Sequence, residues 1–232
     1  DQAKKYASRF NVPFCFSTNW HLVSSYDYNS EKTIFDFSIN DFPSPEKLKQ
    51  LYEEKKWFSL DEDKSKSLFT PYSTTTNLPR YYQDAAIRAT IEKINSKAID
   101  NNRVLLTLAT WAGKTTLAVQ LIFKLIKSNN AKKILFLCDR STLSNQAFTD
   151  FSKAFWSDVV QFWWWKKYHN AKIIVATYQS LKLEWEEAEE SFFAENFWED
   201  YFSHIIIDEC HRSWFWKWFE PMRKNQKAVH IW

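Results

Sequence analysis

Short apolar segments alternate with longer amphipathic segments from residue 104 to residue 207. The apolar segments are rich in β-branched residues, which favours strands at 104–109, 134–138, 173–177 and 205–207. Between them, the spacing of apolar residues predicts helices at 115–127 and 142–155. Such alternation is typical of a parallel sheet with helices on both faces. We therefore predict an α/β fold whose ligand-binding residues follow the strands, because ligands of such sheets bind at the carboxyl ends of the strands.

The first part of the chain has a different pattern and favours a smaller unit. A helix is expected at 2–10, followed by strands at 12–18, 21–28 and 32–39, which are rich in β-branched and aromatic residues. Ser44 and Pro45 have the sequence of a helix start, with Ser44 as the N-cap. The charged stretch 53–67 is interpreted as a linker or solvated loop. We therefore divide the chain into residues 1–42, a helix and linker at 43–78, and a domain at 79–232.

The glycine content limits how the turns of this chain can be built. Average usage of about 7% predicts about 16 glycines in a chain of this length, but there is 1 glycine and there are 13 tryptophans. Turns favour glycine because it adopts positive φ without steric cost, and no physical pressure replaces it there with the largest side chain. We infer that many tryptophans stand at glycine positions, through engineering or through an error in the recorded sequence. The positions concerned are Trp20, Trp111, Trp163, Trp164, Trp165, Trp214, Trp216 and Trp232.

Composition and charge exclude several classes of protein. Hydrophobic content of 45% and charged content of 25% are ordinary globular values and exclude a disordered chain. Three widely spaced cysteines give neither a disulfide framework nor a zinc motif. No apolar run reaches the roughly 18 residues of a membrane span, and no targeting segment is recognised at the N-terminus, so we expect a cytoplasmic protein. The net charge of +3 is too small to indicate nucleic-acid binding by itself.

The first strand of the predicted parallel sheet is followed by Gly113, Lys114, Thr115 and Thr116, and then by a helix. This order is typical of the second half of a phosphate-binding loop, in which backbone N–H groups at the start of the helix receive phosphate oxygens. Lys114 would contact the β- and γ-phosphates, and the Thr115 hydroxyl would bind Mg²⁺. The alternative interpretation is an ordinary helix start with a solvated lysine.

Two adjacent carboxylates, Asp208 and Glu209, follow the last strand of this sheet. Such a pair at a sheet edge fits the magnesium-binding and water-activating groups of a nucleotide hydrolase. Asp208 would hold Mg²⁺, directly or through water, and Glu209 would orient or deprotonate the attacking water. A charged turn after a buried strand is the simpler alternative for this motif alone. Both motifs in this order within one α/β domain favour the nucleotide site.

Together these segments resemble the motor subunit, or R subunit, of type I restriction-modification enzymes, which carries a superfamily 2 helicase motor of the DEAD/DEAH type. Residues 109–115 are similar to motif I of that family, and residues 208–211 are similar to motif II. Arg80 and Gln83 lie in a segment that resembles the Q motif, which implies that both belong to the ATP site and that Gln83 reads the adenine edge. The resemblance implies a RecA-like fold for residues 79–232, with ATP and Mg²⁺ as cofactors.

Segments that follow two further strands resemble DNA-contacting motifs of the same family. Residues 139–146 are similar to motif Ia, which implies that Arg140 approaches the DNA backbone. Residues 176–181 are similar to the motif after the next strand, which implies DNA contacts from Thr177 and Gln179. The expected nucleic-acid partner is double-stranded DNA.

Gln2 and Tyr6 have the spacing of a motif that follows the active site in RecB-like restriction nucleases of the PD-(D/E)xK type. The resemblance implies that residues 1–42 are the C-terminal remnant of such a domain. Its metal ligands would precede residue 1, so we assign no cleavage to this chain. Taken alone, a glutamine and a tyrosine one helical turn apart are more typical of an ordinary surface.

The chain departs from the family pattern at motif I, where Trp111 stands in place of a glycine. It also ends before motif III and before the second RecA-like domain of the family. A complete hydrolytic site in this family forms between two such domains, so this chain is expected to carry half of it and to be inactive alone.

The resemblance implies an ATP-dependent motor that moves on double-stranded DNA before a linked nuclease cleaves it. Its partners would be the modification and specificity subunits of the restriction complex. Two alternatives stay open. In the first, the aromatic and basic segment 163–169 forms a nucleic-acid-binding module without ATPase activity, in which bases stack on the tryptophans. In the second, the chain is a generic P-loop ATPase with no nucleic-acid track.

Overall fold

The structure, a computed structural model, describes residues 2–10, 12–27, 32–98, 102–109, 111–138, 141–162, 170–177, 180, 197–208 and 224–232. The helices are α1 (Gln2–Phe10), α2 (Pro45–Lys56), α3 (Lys66–Phe69), α4 (Tyr81–Asn95), α5 (Lys114–Lys127) and α6 (Ser141–Phe155). The strands are β1 (Phe14–Thr18), β2 (Leu22–Asp27), β3 (Lys32–Ser38), β4 (Arg103–Val104), β5 (Ile134–Cys138), β6 (Val159–Gln161), β7 (Ile173–Thr177), β8 (His204–Ile207) and β9 (Val229–Ile231). Short 3₁₀ turns cover Ile39–Asp41, Asp63–Ser65 and Trp156–Asp158. No helix within these ranges is long and apolar enough to cross a membrane.

A parallel sheet of six strands, in the order β4-β9-β8-β5-β7-β6, forms the centre of the larger unit. β5 pairs with β7 on one side and with β8 on the other, and all five of its residues are buried. A strand that is buried on both faces needs a continuous apolar sequence, which explains the run from Ile134 to Cys138. The predicted α/β fold with a parallel sheet is confirmed.

Each face of this sheet has its own apolar core. Phe136 points to the face on which residues of α4, α5 and α6 pack. The next residue on either side of it, Leu135 or Leu137, points to the opposite face, where Phe202 packs. In the described part of the chain, non-helical segments cover this second face. The expected helices there stay a prediction, because residues 181–196 and 209–223 lie outside the described residues.

The first three strands form a separate antiparallel sheet, in the order β1-β2-β3. In the ranges that the structure describes, no ladder joins this sheet to the parallel one. α1 contacts the larger unit, because the ring of Phe10 lies 5.8 Å from the ring of Tyr81 in α4. The ring of Phe14 in β1 also lies 4.3 Å from the ammonium of Lys55 in α2. The carbonyl of Phe10 also accepts a hydrogen bond from Arg88. The assignment of residues 1–42 to a nuclease-type domain stays a prediction.

The strand expected at 104–109 is much shorter in the structure. Only Arg103 and Val104 pair with β9 as a regular strand. β4 lies at the edge of the sheet and has a single neighbour, and that neighbour is only three residues long. Beyond β4, the Leu106 N–H still donates a hydrogen bond to the carbonyl of Trp232, the residue after β9, at 2.6 Å. Residues 105–109 therefore lead from the sheet to α5 as irregular backbone.

The charged stretch 53–67, interpreted above as a linker or solvated loop, is in fact partly helical and packed. α2 continues to Lys56, and the Glu53 carboxylate accepts hydrogen bonds from the Leu60 N–H at 2.6 Å and the Ser59 hydroxyl at 3.1 Å. Phe58 is buried just after the helix. A high density of charged residues favours a solvated loop, but here carboxylates and hydroxyls make hydrogen bonds that close local turns.

Six residues other than glycine adopt positive φ within the described part of the chain, and four of them are tryptophans. Their φ angles are 77° at Trp20, 58° at Trp57, 68° at Trp111 and 52° at Trp156. The other two are an asparagine and an aspartate, which tolerate this region best. All four tryptophans are exposed, so indole packing does not offset the strain. They have the backbone of glycine positions, whereas Trp232, which was also suspected, does not have positive φ.

Replacing Trp57 by glycine should stabilise the fold. Trp57 is the left-handed C-cap of α2 and is 66% exposed, and an L-residue in this conformation costs roughly 1–2 kcal/mol. We expect Trp57→Gly to raise the free energy of unfolding by about 1 kcal/mol in chemical denaturation.

The matched control for this change is Trp198→Gly. Trp198 is similarly exposed, at 63%, but its φ is not positive, and its ring packs edge-on against Tyr201 at 4.6 Å. This variant should be destabilised, because glycine only adds freedom to the unfolded chain there. Equal losses of stability in both variants would contradict the glycine-position interpretation. An intact protein mass that corresponds to 13 tryptophans, together with a destabilised Trp57→Gly variant, would contradict it as well.

The stability of the fold should fall between neutral and mildly acidic pH because of His204. Burial lowers its pKa from 6.5 to about 4, so the unfolded chain binds this proton at a higher pH than the folded chain. The contribution of His204 is complete above about pH 6.5 and is lost as the pH falls towards 4, which amounts to on the order of 3 kcal/mol. The free energy of unfolding of His204→Leu should therefore depend less on pH in this window than that of His21→Leu, a change at an exposed histidine. Parallel pH profiles of the two variants would show this assignment to be wrong.

Candidate functional site

The turn between the sheet and α5 is built around Gly113, the single glycine of the chain. Gly113 is the N-cap of α5 in the left-handed conformation, with φ 73° and ψ 46°, and as a glycine it has no side chain with which to cap the helix. A Cβ at this position would lie 2.6 Å from Nε2 of Gln83. The positive φ favours glycine, and a side chain here would have to push the end of the Gln83 side chain aside. The first N–H groups of a helix have no intrahelical acceptor, so the start of a helix can receive an anion.

Gln83 and Tyr82, at the start of α4, hold the backbone of this turn. Nε2 of Gln83 donates to the carbonyls of Ala112 at 2.8 Å and Gly113 at 3.1 Å, and Oε1 accepts the N–H of Arg80 at 2.8 Å. The Tyr82 hydroxyl donates to the Ala112 carbonyl at 3.1 Å. Gln83 is buried, so its amide faces the backbone of the turn. The sequence predicted a base-reading role for Gln83 and did not reveal its contact with the turn. It gave no role to Tyr82, although Tyr82 lies in the segment that resembles the Q motif.

Arg80 lies at the outer end of the same arrangement. It is exposed, it forms the N-cap of α4, and its guanidinium lies 3.3 Å from the Tyr82 hydroxyl. The side chain therefore stands beside the turn and faces solvent. The Arg80 guanidinium could therefore contact a ligand that is bound at the start of α5 and extends from there towards solvent.

Lys114 and Asp208 line one cavity of about 290 Å³ at the carboxyl edge of the parallel sheet. The two residues are far apart in the sequence, and the sheet brings them together because their strands run in the same direction. The backbone N–H of Asp208 donates to the carbonyl of Leu137 at 2.9 Å, which fixes the end of β8 against β5. Glu209, the expected water-activating residue, lies outside the described residues.

The charge of Asp208 affects the end of the neighbouring strand. Cys138 closes β5, and burial together with the Asp208 carboxylate raises the pKa of its thiol to about 12. The thiol is therefore neutral at physiological pH and does not compete for a cation. The remaining wall of the cavity is mostly apolar, with side chains from residues 105–108, α5 and β8.

The donor groups at this edge fit a magnesium nucleotide. Thr115 lies in the first turn of α5, and its hydroxyl and the Asp208 carboxylate are the hard oxygen ligands that Mg²⁺ prefers. In the described part of the chain, no group of three or more histidine, cysteine, aspartate or glutamate residues could hold a metal ion alone. Mg²⁺ usually keeps several waters and binds one or two protein oxygens together with phosphates.

Thr116 faces a second, polar cavity rather than the one lined by Lys114. This cavity is also lined by residues 74–77 and by Asp150 and Lys153 of α6. Thr116 therefore lies at the boundary between the start of α5 and the segment that precedes Arg80. Its expected role in cofactor binding stays a prediction.

Of the expected DNA contacts, Thr177 is the one that lies within the described residues. It ends β7, and its hydroxyl accepts the N–H of Ser180 at 3.1 Å, so it caps the turn that follows the strand. Arg140 and Gln179 lie outside the described residues. Arg140 comes after β5 in the sequence and Gln179 after β7, and the carboxyl ends of these two parallel strands lie on the same sheet edge as the Lys114 cavity.

Gln2 and Tyr6 are in contact on the exposed surface of α1. Nε2 of Gln2 donates to the Tyr6 hydroxyl at 3.0 Å. The pair lies on α1, and Phe10 of α1 contacts Tyr81 of α4. α4 is also the helix whose Gln83 holds the Gly113 turn.

Comparisons with known proteins show which family this chain belongs to. Residues 76–231 match the family described as type III restriction enzyme, res subunit. The chain is 34% identical over 220 residues to the type I restriction enzyme EcoAI endonuclease subunit of Escherichia coli, covering 91% of this chain and 26% of that protein. It is 30% identical over 230 residues to the EcoKI endonuclease subunit of Escherichia coli K12, covering 89% of this chain and 18% of that protein. The chain thus spans about a quarter or less of these relatives.

Solved structures show the same fold. A fragment of an HsdR subunit of a type I restriction enzyme from Vibrio vulnificus YJ016 superposes with a TM-score of 0.74 at 27% identity, over 99% of this chain and 38% of that one. The UvsW helicase of bacteriophage T4 superposes with a TM-score of 0.51 at 19% identity, over 84% of this chain and 73% of that one, which supports the fold alone. The resemblance to the motor subunit of restriction enzymes is confirmed.

Trp111 should weaken nucleotide binding at this site. It has positive φ and is 98% exposed, so its indole stabilises nothing and adds bulk where backbone amides must approach phosphate. We expect Trp111→Gly to raise the affinity for ATP and Mg²⁺ at least about tenfold by calorimetry, a change of about 1.4 kcal/mol.

Trp156→Gly is the matched control, because Trp156 also combines exposure with positive φ but lies in the turn after α6 rather than in the turn that contains Gly113. Its affinity for ATP should equal that of the starting protein. A micromolar dissociation constant in a chain of verified mass that carries Trp111 would contradict this account of the turn.

Proposed function

This chain belongs to the family described as type III restriction enzyme, res subunit, and from that membership we propose that it is the ATP-binding part of a DNA-translocating motor. The motor would be the R subunit of a restriction endonuclease, in which ATP hydrolysis drives movement on double-stranded DNA before cleavage. The identity to two type I endonuclease subunits favours a type I system. Because the chain spans only a part of those relatives, the whole activity would need segments beyond this one.

One observation carries the proposal: Lys114 and Asp208 line the same cavity beside a left-handed glycine that starts a helix. An ordinary helix start with a solvated lysine, the simpler interpretation, does not require a carboxylate from another strand in the same cavity. It also gives no reason for Gln83 and Tyr82 to fix the Ala112 carbonyl.

Each residue at this edge would have a distinct role in ATP hydrolysis. The backbone of Gly113 and the first turn of α5, including Thr116, would receive the phosphates, and Lys114 would neutralise charge on the terminal ones. Thr115 and Asp208 would hold Mg²⁺, which supplies charge neutralisation at the phosphates when bound. Glu209 would take the proton of the attacking water.

The nucleoside side of the ligand would lie against Arg80 and Gln83. The Gln83 amide already donates hydrogen bonds to the carbonyls of Ala112 and Gly113. To contact the adenine edge as well, this amide would have to divide its hydrogen bonds between the backbone and the base. Arg80 is exposed beside it and would provide the further contact.

Double-stranded DNA would bind at the strand ends that carry Arg140, Thr177 and Gln179. The modification and specificity subunits would supply sequence recognition. Residues 1–42, with the Gln2 and Tyr6 pair, would be the end of the linked nuclease domain. Its direct contact with α4, which carries Gln83, would place that domain next to the ATP site.

Lys114→Ala and Asp208→Asn should abolish DNA-stimulated ATP hydrolysis in the longer protein that contains this chain. Both changes remove charge at the phosphates or at Mg²⁺, and a loss of at least about 100-fold is expected. Lys132→Ala is the control, since Lys132 is exposed before β5 at the opposite end of the sheet. Steady-state hydrolysis with and without double-stranded DNA measures the effect.

The same assay separates the alternatives. Hydrolysis that depends on Lys114 but does not respond to DNA would indicate a generic P-loop ATPase. Tight binding of single-stranded DNA in the absence of nucleotide, without any ATP binding, would indicate a binding module and would overturn the proposal.

A further inference from the structure

Gln120 of α5 is completely buried, and its side-chain amide is fully used. Oε1 accepts the N–H of Ser73 at 2.8 Å. Nε2 lies 3.0 Å from each of three acceptors, which are the Ser73 carbonyl, the Thr76 hydroxyl and the Asn77 carbonyl. One side chain of the helix therefore holds the backbone of residues 73–77.

Lys124 strengthens the same attachment one helical turn later. Its ammonium donates to the carbonyls of Leu68 and Thr70 and lies 4.5 Å from the ring of Tyr72. The Tyr72 hydroxyl in turn donates to Asp84 of α4 at 2.6 Å. The backbone from Leu68 to Asn77 is thus tied to α5 by two buried polar side chains.

The segment that Gln120 holds leads directly to Arg80 and Gln83. Gln83 then bonds the carbonyls of Ala112 and Gly113, and α5 begins at the next residue. The chain thereby makes a closed loop of contacts that starts and ends on α5. Gln120 lies six residues after Lys114, which is about 9 Å along the helix axis.

A glutamine at this position is not needed for packing. Methionine has nearly the same length and would fill the space, whereas a buried amide is tolerated only when its hydrogen bonds are made. The value of glutamine lies in the bonds, which fix where residues 73–77 sit relative to α5. No local sequence signal reveals this, because its partners lie 43 to 47 residues earlier in the chain.

We propose that Gln120 is a positioning residue for the nucleoside half of the bound nucleotide. By fixing residues 73–77, it sets the distance between Arg80 and Gln83, which would face the nucleoside, and Lys114, which would face the phosphates. The inference rests on the proposed ATP site. It differs from a general structural role because it concerns one half of the ligand only.

The test compares ATP with inorganic tripolyphosphate, which has the phosphate chain without the nucleoside. Binding of both, with Mg²⁺, is measured by calorimetry on the 232-residue chain with Trp111→Gly, to remove the indole from the turn, and on the same chain with Gln120→Met. We expect Gln120→Met to weaken ATP binding about tenfold and to leave tripolyphosphate binding within about twofold. Hydrogen exchange should also become faster at residues 73–83 while α5 stays protected.

Gln161→Met is the matched control, because Gln161 makes two side-chain hydrogen bonds to α6 from β6 at the far edge of the sheet. It should leave both affinities unchanged. Thr76→Val, which removes a single acceptor of Gln120, should give a smaller loss in the same direction and guards against poor folding of Gln120→Met.

Three results would overturn the proposal. An unchanged ATP affinity in both Gln120→Met and Thr76→Val would remove the positioning role. Equal losses of ATP and tripolyphosphate binding would show a general structural role instead. A Trp111→Gly chain that binds neither ligand would overturn the ATP site itself, and the positioning role with it.

Discussion

The candidate site depends on one steric constraint at Gly113. The residue is left-handed, and the amide of Gln83 approaches so closely that a Cβ would lie 2.6 Å from it. This approach lets the start of α4 hold the turn whose next residue is Lys114. A Cβ at Gly113 would have to displace the end of the Gln83 side chain, which would disturb its hydrogen bonds to the carbonyls of Ala112 and Gly113. The only glycine of the sequence therefore stands where both a positive φ and a close side-chain contact favour it.

Buried polar groups extend this constraint over the surrounding structure. Gln120 and Lys124 hold the segment before α4, and Gln83 closes the contact back to α5. Apolar packing alone would allow these elements to slide, because the hydrophobic effect is not directional. Hydrogen bonds from buried amides fix their register, since an unmade bond at such a position is costly. The exposed tryptophans with positive φ contribute nothing comparable and stand where glycine would relieve strain.

The sequence predicted the parts of the fold whose signal is local. The bounds of β5 and β7 match the expectation because both are apolar runs buried on two faces. The predicted first strand, 104–109, is too long, because residues 105–109 follow an edge strand whose single neighbour, β9, is short. Lys114 and Asp208 could be paired in advance since parallel strands end at one edge. The contacts of Tyr82 and Gln120 could not, because their partners are distant in sequence and no spacing reveals them.

The single glycine offers a direct measurement of the central claim. Protein labelled with ¹⁵N-glycine should give one amide resonance, from Gly113, in the starting chain and in Trp111→Ala alike. If the start of α5 receives the phosphates of a nucleotide, the chemical shift of this resonance changes when ATP and Mg²⁺ are added. The change should occur at a lower ATP concentration in Trp111→Ala than in the starting chain. A Gly113 resonance that stays in place at saturating millimolar ATP in both folded proteins would contradict the account.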